Sequence, residues 1–545
     1  MSWLDRIERL GNALPDPITL FALGALGVML VSDLAVRAEW TVYKHSSVQA
    51  LDVVRGADGE PLRHPLTGEA VRIPRLDVEG RPVREIAKDP VRARSLLSSE
   101  GLYFAVSSLV ENFKNFPPLA VVLVGMLGIG LADRTGFIAA MLRASLVAVP
   151  GRLLTPAVFA IGVLSSLALD AGYVVLPPIA AALYAAVGRS PAAGLAAVFA
   201  GVAAGFSANL MVTSLDTILA GFSEAGARLV DPDYRVAATA NLWFLMASTG
   251  LLTIVGWATS AWWVEPRLAA KPPDEGGPLA EAGEAAVGLS VPEKRALWIA
   301  LVAAAVVLLV MVLATRIPGA PLHGMDGRFP RWVSAVVPLL FIGFLVPGIA
   351  YGIAIGAIRS DRDAAKLLGE TMAGMGPYIA LAFFAAQFIE YFRYSGLGEM
   401  LAIAGGGFLA RADLPAGGLV ASFVVVVAVA NLLIGSMSAK YAFFAPVFVP
   451  MFMQVGISPE LTQAAYRVGD SVTNVITPLN PYLVIILAFL RRYVPRAGLG
   501  TLLSMMIPYA LAFAAAWLLL LLVWVAAEAP LGPGGPLFVE ASLSP

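Results

Sequence analysis

The chain contains no cysteine, only three histidines, and charged residues make up 14% of its 545 positions. Without cysteine there is no disulfide, no thiolate metal site and no cysteine nucleophile. His45, His64 and His323 all fall in polar stretches, so a histidine metal centre inside an apolar core is excluded too. The net charge of −1 and the lack of any basic tract argue against nucleic acid as a partner. No G-x-x-x-x-G-K-[ST] run occurs, so the chain does not hydrolyse ATP through a P-loop. What is abundant is apolar surface. Hydrophobic residues are 58% of the chain, and they gather in runs such as "LWIALVAAAVVLLVMVLA" (297–314) and "LLSMMIPYALAFAAAWLLLLLVWVAA" (502–527). Such runs are long enough to cross a hydrocarbon core of roughly 30 Å. The fold class this predicts is an all-α polytopic membrane protein. The segment "PITLFALGALGVMLVSDLAV" (17–36) has no small-x-small cleavage site followed by a soluble mature protein and reads as a retained first helix.

Polar stretches divide the chain. The expected organisation is an N-terminal transmembrane helix in 1–36, an extracytoplasmic loop or subdomain in 37–100, and a first transmembrane repeat in 101–264. A cytoplasmic linker follows in 265–295, then linking transmembrane helices in 296–358, a second repeat in 370–527 and a tail in 528–545. Arg6 and Arg9 precede the first helix, the linker carries Arg267, Lys271, Lys294 and Arg295, and no Lys or Arg follows Arg496. That bias predicts a cytoplasmic N-terminus and an extracytoplasmic C-terminus.

The two halves resemble each other. A displacement of 268 residues lays Tyr173 on Tyr441, Pro178 on Pro446, Gly188 on Gly456, Ser190-Pro191 on Ser458-Pro459 and Gly201 on Gly469. Three residues of slippage later, "FSANLM" (206–211) falls beside "SVTNVI" (471–476), with Asn209 opposite Asn474. Coincidence among Ala, Gly and Pro is the plain explanation, but the matches keep one offset. A duplicated unit points to a secondary transporter whose site lies between the repeats.

Both repeats carry a stretch that cannot be a simple spanning helix. "GDSVTNVITPLNPYL" is broken by Pro478 and Pro481 and supplies Asp470, Ser471, Thr473, Asn474 and Thr477. "GFSANLMVTSLDT" (205–217) supplies Ser207, Asn209, Thr213, Ser214 and Asp216. Non-helical backbone at membrane depth survives only inside protein or beside a water-filled cavity. The pair reads as two re-entrant hairpins, near 192–222 and 461–490, whose tips meet. Their oxygens make Asn209 and Asn474 candidates for holding Na+, and H+ or Na+ is the expected coupling ion, with no other cofactor.

Ionisable residues at membrane depth are costly and therefore functional candidates. Asp170 is a candidate proton or cation site, or else a structural hydrogen-bond anchor. Arg467 and Asp470 stand three apart on one helical face. They form either a mutual ion pair or a substrate site in which Arg467 forks a carboxylate and Asp470 holds a cation or proton. Tyr441 stacks on an aromatic substrate or simply packs, Asn431 forms a helix–helix hydrogen bond, and Lys440 snorkels to an interface. Asp133-Arg134 and Glu390/Arg393 fall at helix ends and read as solvated termini or interface pairs. Two buried aspartates raise the alternative of an intramembrane aspartyl hydrolase. That needs Gly-x-Gly-Asp, and here "RVGD" places Arg467 at the first Gly. A passive channel is a third class, which hairpins built for occlusion suit less well.

The segments "LPDPITLF" (14–21), "EGLYFAVSSLVENFKNFPPLAVVLVGMLGIGLAD" (100–133), "DAGYVVLPPIAA" (170–181), "AGLAAVFAGVAAGFSANL" (193–210) and "AYRVGDSVTNVITPLNPYL" (465–483) resemble the p-aminobenzoyl-glutamate transporter (AbgT) family of bacterial inner-membrane carriers. The resemblance implies a homodimer whose protomers each have nine transmembrane helices and two re-entrant hairpins. It implies import of p-aminobenzoyl-glutamate or proton-driven export of sulfonamides, hence an anionic aromatic small molecule as partner within the lipid bilayer. By motif, the family's pocket residues carry over to Asp170, Asn431, Ser438, Arg467, Asp470 and Pro478. One departure stands out: the aromatic after "SAK" is Trp in the family and Tyr441 here. A more distant likeness to sodium-coupled dicarboxylate transporters gives the alternative of a dicarboxylate symporter.

Overall fold

In a computed structural model of the chain, the described residues are 17–49, 51–55, 60–63, 70, 72–74, 84–168, 171–279, 288–327, 329–477, 479–480 and 482–539. The apolar runs become helices: Pro17–Arg37, Pro117–Arg134, Leu242–Ala269, Val291–Arg316, Val336–Ile355 and Leu499–Ala526 are each long and apolar enough to cross a membrane. Three further helix pairs are bent, Phe137–Val147 with Gly151–Leu167, Asp361–Gly374 with Gly376–Tyr394, and Leu397–Arg411 with Ala416–Asn431, by 109°, 43° and 117°, each a broken span or a re-entrant loop. Among the described residues, six helices are thus long and apolar enough to span, or up to nine spans if each bent pair is one. The polar stretch after the first helix forms an antiparallel ribbon, with Thr41–Gln49 paired to Arg84–Arg92.

Two interrupted helices are the centre of the molecule. The first is Pro191–Ala204 and Ser214–Ala227, interrupted at 205–213. The second is Pro459–Val472 and Tyr482–Arg491, with the helix interrupted between them. They are not re-entrant at the positions expected from sequence, because each runs from one end of Leu242–Ala269 to the other. Ala192 and Val494 stand beside Arg267 and Lys271 at its C-terminal end, and Tyr234, just after the first segment, is bonded to Glu460 at the start of the second. Every residue of Pro191–Ala204 and of Pro459–Val472 is buried. A helix buried all round can carry polar residues only where protein partners satisfy them. That is why the second interrupted helix can hold Arg467 and Asp470 while its neighbours face lipid.

The duplication is visible atom by atom where the interrupted helices begin. Gly188 and Gly456 both take left-handed φ, 72° and 82°, and end the helices that feed them, Ala171–Ala186 and Met437–Gln454. Glycine reaches that conformation without a Cβ penalty. Two residues on, Ser190 and Ser458 are N-caps that accept from Ala193 N and Leu461 N, with Pro191 and Pro459 in the first turn. Gly201 and Gly469 let other chains pass close. A Cβ on Gly201 would stand 3.1 Å from Phe159 O, and one on Gly469 2.5 Å from Val424 O.

Each cap serine has a second role. Ser190 Oγ donates to Gly276 O at 2.5 Å, and Ser458 Oγ donates to Pro536 O at 2.7 Å. The segment after Leu242–Ala269 therefore ties down the outer end of the first interrupted helix, and the tail ties down that of the second. The tail adds Ser458 N to Leu537 O and Val539 N to Gly456 O. Ser190→Ala and Ser458→Ala should each cost roughly 1–2 kcal/mol, from a lost cap and a lost strap bond. Threonine at either position should recover most of it. Thermal unfolding in detergent measures both.

Candidate functional site

Asn474 Nδ2 donates to Ala203 O at 3.3 Å, and Ser207 Oγ reaches Met437 Sδ at 3.9 Å. The non-helical break of each interrupted helix thus touches the opposite repeat. Between them lies a cavity of about 550 Å³, lined by Tyr173, Phe206, Leu215, Gly435, Ser436, Met437, Ser438, Asn474, Thr477, Leu479, Asn480 and Tyr482. The Tyr173 and Tyr482 rings are stacked, with centroids 4.1 Å apart and planes 5° from parallel. Facing polar groups come from Ser436, Ser438, Asn474, Thr477 and Asn480. The cavity therefore offers an aromatic wall and a set of neutral hydrogen-bonding groups.

No Lys or Arg lines it among the described residues. Positive potential comes instead from backbone. The helices Met437–Gln454, Tyr482–Arg491, Ala171–Ala186 and Ser214–Ala227 all begin at or beside the cavity. A helix's first turn carries N–H groups without intrahelical acceptors and the positive end of its dipole. Several such ends around one cavity suit an anionic group.

The charged residues stand behind this wall and are spoken for. The i, i+3 spacing suggested a mutual pair of Arg467 and Asp470, but each reaches a different element. Arg467 Nη2 lies 2.6 Å from Asp216 Oδ1 on the first interrupted helix, and Lys440 Nζ lies 2.6 Å from Asp470 Oδ1. All four side chains are buried. Asp216 also accepts from Thr213 N and Oγ1, so it caps its own helix while holding Arg467. Lys440 does not snorkel outward. Its ammonium is fully buried, donates to Asn431 Oδ1 as well as Asp470, and stands 5.8 Å from the centre of the Tyr466 ring.

Asn431 is a junction rather than a single bond. Its Nδ2 is within hydrogen-bond range of Asp470 O, Thr473 Oγ1 and Asn474 Oδ1, at 2.7, 2.9 and 2.8 Å. Tyr441 packs away from the cavity, its hydroxyl 2.6 Å from Ser223 Oγ and its ring against Tyr466. Ser471 is fully buried in the same helix. Asn209 donates to Ser166 Oγ at 2.8 Å and accepts from Leu210 N. The amide oxygens of Asn209 and Asn474 therefore already have protein donors. Asp170 and Pro478 lie outside the described residues. At the helix ends, Arg134 pairs with Glu370 at 3.1 Å and Arg393 with Glu390 at 2.5 Å.

Of the sequence candidates, Ser438, Asn474 and Thr477 line the cavity, and Asn431, Arg467 and Asp470 build its support. Sequence reasoning missed Tyr482, Ser436 and Asn480 in the wall, and the pairing of Lys440. It also missed a run of buried polar groups on Pro459–Val472: Glu460 accepts from Tyr234 Oη at 2.9 Å, and Gln463 Oε1 from Asn241 Nδ2 at 2.6 Å. The signal was present in Glu460, Gln463, Arg467 and Asp470, spaced at three and four along one helical face.

Comparison with known proteins agrees with this architecture over its whole length. The family model described as "AbgT putative transporter family" matches residues 2–539. The p-aminobenzoyl-glutamate transport protein of Escherichia coli (strain K12) is 32% identical over 539 residues, spanning 97% of this chain and 95% of that protein. The crystal structure of the Alcanivorax borkumensis YdaH transporter, described as having an unusual topology, superposes with a TM-score of 0.81 at 39% identity, over 95% of this chain and all of that one. Neisseria gonorrhoeae MtrF, described as illuminating a class of antimetabolite efflux pumps, superposes with a TM-score of 0.83 at 34% identity, over 98% of this chain and all of that one. The chain belongs to the AbgT family of membrane transporters and is a transporter, not an enzyme.

Proposed function

We propose that this protein carries p-aminobenzoyl-glutamate or related aromatic carboxylates, sulfonamide antimetabolites among them, and that a proton or sodium gradient drives the transport. The observation that carries the reading is the cavity between the two helix breaks, with one stacked aromatic wall and helix N-termini on its polar side. An aminobenzoyl ring suits the Tyr173/Tyr482 wall. Its amide and carboxylates suit the hydroxyls and amides of Ser436, Ser438, Asn474 and Asn480, together with the helix ends. The named activities of the two relatives, p-aminobenzoyl-glutamate transport and antimetabolite efflux, support the same substrate class. Buried Asp470, bonded to a lysine rather than held in a fixed fork, suits a group that takes up a proton or cation during the cycle; Asp170 joins it on the sequence argument alone. Placement in a bacterial inner membrane as a homodimer, with the N-terminus cytoplasmic and the C-terminus outside, completes the reading and follows the Lys/Arg bias of the loops.

The test is flux into proteoliposomes, offering p-aminobenzoyl-glutamate, a sulfonamide and succinate under an imposed proton or sodium gradient. Gradient-dependent flux of an aromatic substrate is expected. Carriage of succinate alone would overturn the aromatic assignment, and gradient-independent flux would overturn the coupling. Within the same assay, Tyr482→Ala should raise the half-saturation concentration for the aromatic substrate about threefold to tenfold, the range expected for one lost ring contact. Tyr482→Phe should leave it nearly unchanged.

A further inference from the structure

Two cavities away from the transport site share one wall. The first, of about 500 Å³, is lined by Pro90, Val91, Arg92, Arg94, Phe104, Arg393, Tyr394, Gly396 and Glu399. The second, of about 390 Å³, is almost wholly apolar and includes Val31, Trp40, Val42, Phe392, Leu397, Met400 and Leu401. The ribbon and the 392–401 segment contribute to both. In the ribbon, Thr41 stands opposite Arg92 and Val42 opposite Val91, so the apolar and basic cavities sit on paired residues. The chain thus presents a basic pocket and an apolar pocket side by side.

Their level in the membrane is set by where helices end. Pro17–Arg37 and Gly376–Tyr394 both end here, Ser99–Ser107 and Leu397–Arg411 both begin here, and the first two pack together. Trp40 and Tyr43 are each 53% exposed and Tyr103 is 75% exposed. Exposed Trp and Tyr at span ends are the pattern of a membrane–water boundary.

The charge is unbalanced. Arg393 is held by Glu390, and Glu399 by Lys44 at 3.2 Å. Asp89 faces Lys44 across the ribbon. Among the described residues neither Arg92 nor Arg94 has a carboxylate within ion-pair distance, and both are exposed. Two guanidinium forks beside a third offer the planar, multidentate geometry that a phosphodiester accepts. The stacked rings of Phe104 and Tyr394, 4.1 Å apart, close the side of the basic pocket.

We infer that these adjoining cavities form a binding site for an anionic phospholipid, with the phosphate on Arg92, Arg94 and Arg393 and an acyl chain against Val31, Val42, Leu397 and Leu401. The site is separate from the transport cavity and does not depend on the substrate assigned there. A bound lipid would brace the ribbon against the corner between Gly376–Tyr394 and Leu397–Arg411.

The test uses the full-length protein in detergent and reads two quantities, lipid retained in native mass spectrometry and the unfolding temperature. The probes are phosphatidylglycerol, phosphatidylethanolamine, the soluble headgroup glycerophosphoglycerol and inorganic phosphate. Wild type should retain phosphatidylglycerol in preference to phosphatidylethanolamine and unfold at higher temperature with it. Arg92→Gln/Arg94→Gln should weaken that retention about tenfold, the scale of losing charge-assisted contacts to phosphate. Ala404→Trp, an exposed position in the apolar pocket, should weaken it without touching the arginines. Equal retention by both variants and wild type would overturn the site. Equal stabilisation by phosphate or by the headgroup alone would make it a free-anion site and overturn the lipid assignment. Variants that shift the oligomeric mass without changing lipid retention would show that this face is covered by a second copy of the chain.

Discussion

Lys440→Ala should destabilise the protein by about 3–5 kcal/mol, the cost of leaving one member of a buried ion pair without the other. The ammonium is fully buried, 2.6 Å from Asp470 Oδ1, and also bonded to Asn431. Removing it leaves Asp470 with Tyr466 Oη at 3.3 Å as its remaining side-chain donor among the described residues. Adding Asp470→Asn to Lys440→Ala should recover about half or more of that loss, because the neutral amide no longer needs the cation. Asp470→Asn alone leaves the lysine stranded and should cost a similar amount. The double-mutant cycle, read by denaturant or thermal unfolding in detergent, isolates the pair. Losses that simply add would mean the two charges do not hold each other. Function gives a second reading. If Asp470 takes part in coupling, the double variant should fold and exchange substrate across a membrane without a gradient, yet fail to concentrate it.

Why this pair escaped sequence reasoning is instructive in physical terms. Lys440 sits in "SMSAKYAFFAP", and a lysine four residues into an apolar helix ordinarily reaches for the nearest headgroup layer. Here the helix Met437–Gln454 starts not at a membrane surface but at the cavity, since Ser436 and Met437 line it. The first turn is therefore deep, and the nearest anion is Asp470. The same applies to Arg467. Three residues from Asp470 it lies on the same face, but the first interrupted helix brings Asp216 up to it across 251 positions of sequence. Local spacing proposes neighbours; it carries nothing about which element interleaves between them. The stacked Tyr173 and Tyr482 were beyond reach for the same reason, because the two rings come from different repeats.

What could be read was whatever repeats or breaks locally. Pro478 and Pro481 could not sit in a plain span, and the helix does stop at Val472 and resume only at Tyr482. The offset that matched Ser190 to Ser458 and Gly188 to Gly456 pointed to a duplicated unit, and the structure places a capped helix start at each, with the same side-chain acceptor geometry. Those motifs are short-range physics, a left-handed glycine followed by a serine cap and a proline. Duplication preserves them even when surrounding side chains diverge. Arg467 and Asp470 were recognised as important from their cost alone, since an ionised group inside an apolar protein needs a partner.

Asp216 tests how much one carboxylate can carry. Its Oδ1 holds Arg467 Nη2 at 2.6 Å, while its Oδ2 accepts from Thr213 N at 2.6 Å and Thr213 Oγ1 at 2.8 Å. One residue thus caps the second half of the first interrupted helix and ties it to the second interrupted helix. Asp216→Ala should cost about 4–6 kcal/mol, roughly 3–5 for the stranded guanidinium and about 1 for the lost cap. The two parts separate. Asp216→Ala/Arg467→Met removes the stranded charge and should recover most of the larger part, leaving a deficit near that of a missing cap. Asp216→Asn keeps an acceptor for the Thr213 N–H but not the charge, so it should lose the ion-pair part and keep most of the cap. If Asp216→Asn were as stable as wild type, the pair would contribute nothing and the two segments would be held together by packing and the Asn474–Ala203 hydrogen bond. The pair also predicts a coupling between halves that packing does not. Because Asp216 is the charged partner of Arg467, hydrogen exchange at 459–472 should rise in Asp216→Ala, although that substitution lies in the other repeat. The Ser190 cap variant, which loosens the first interrupted helix at its far end, should leave exchange at 459–472 unchanged.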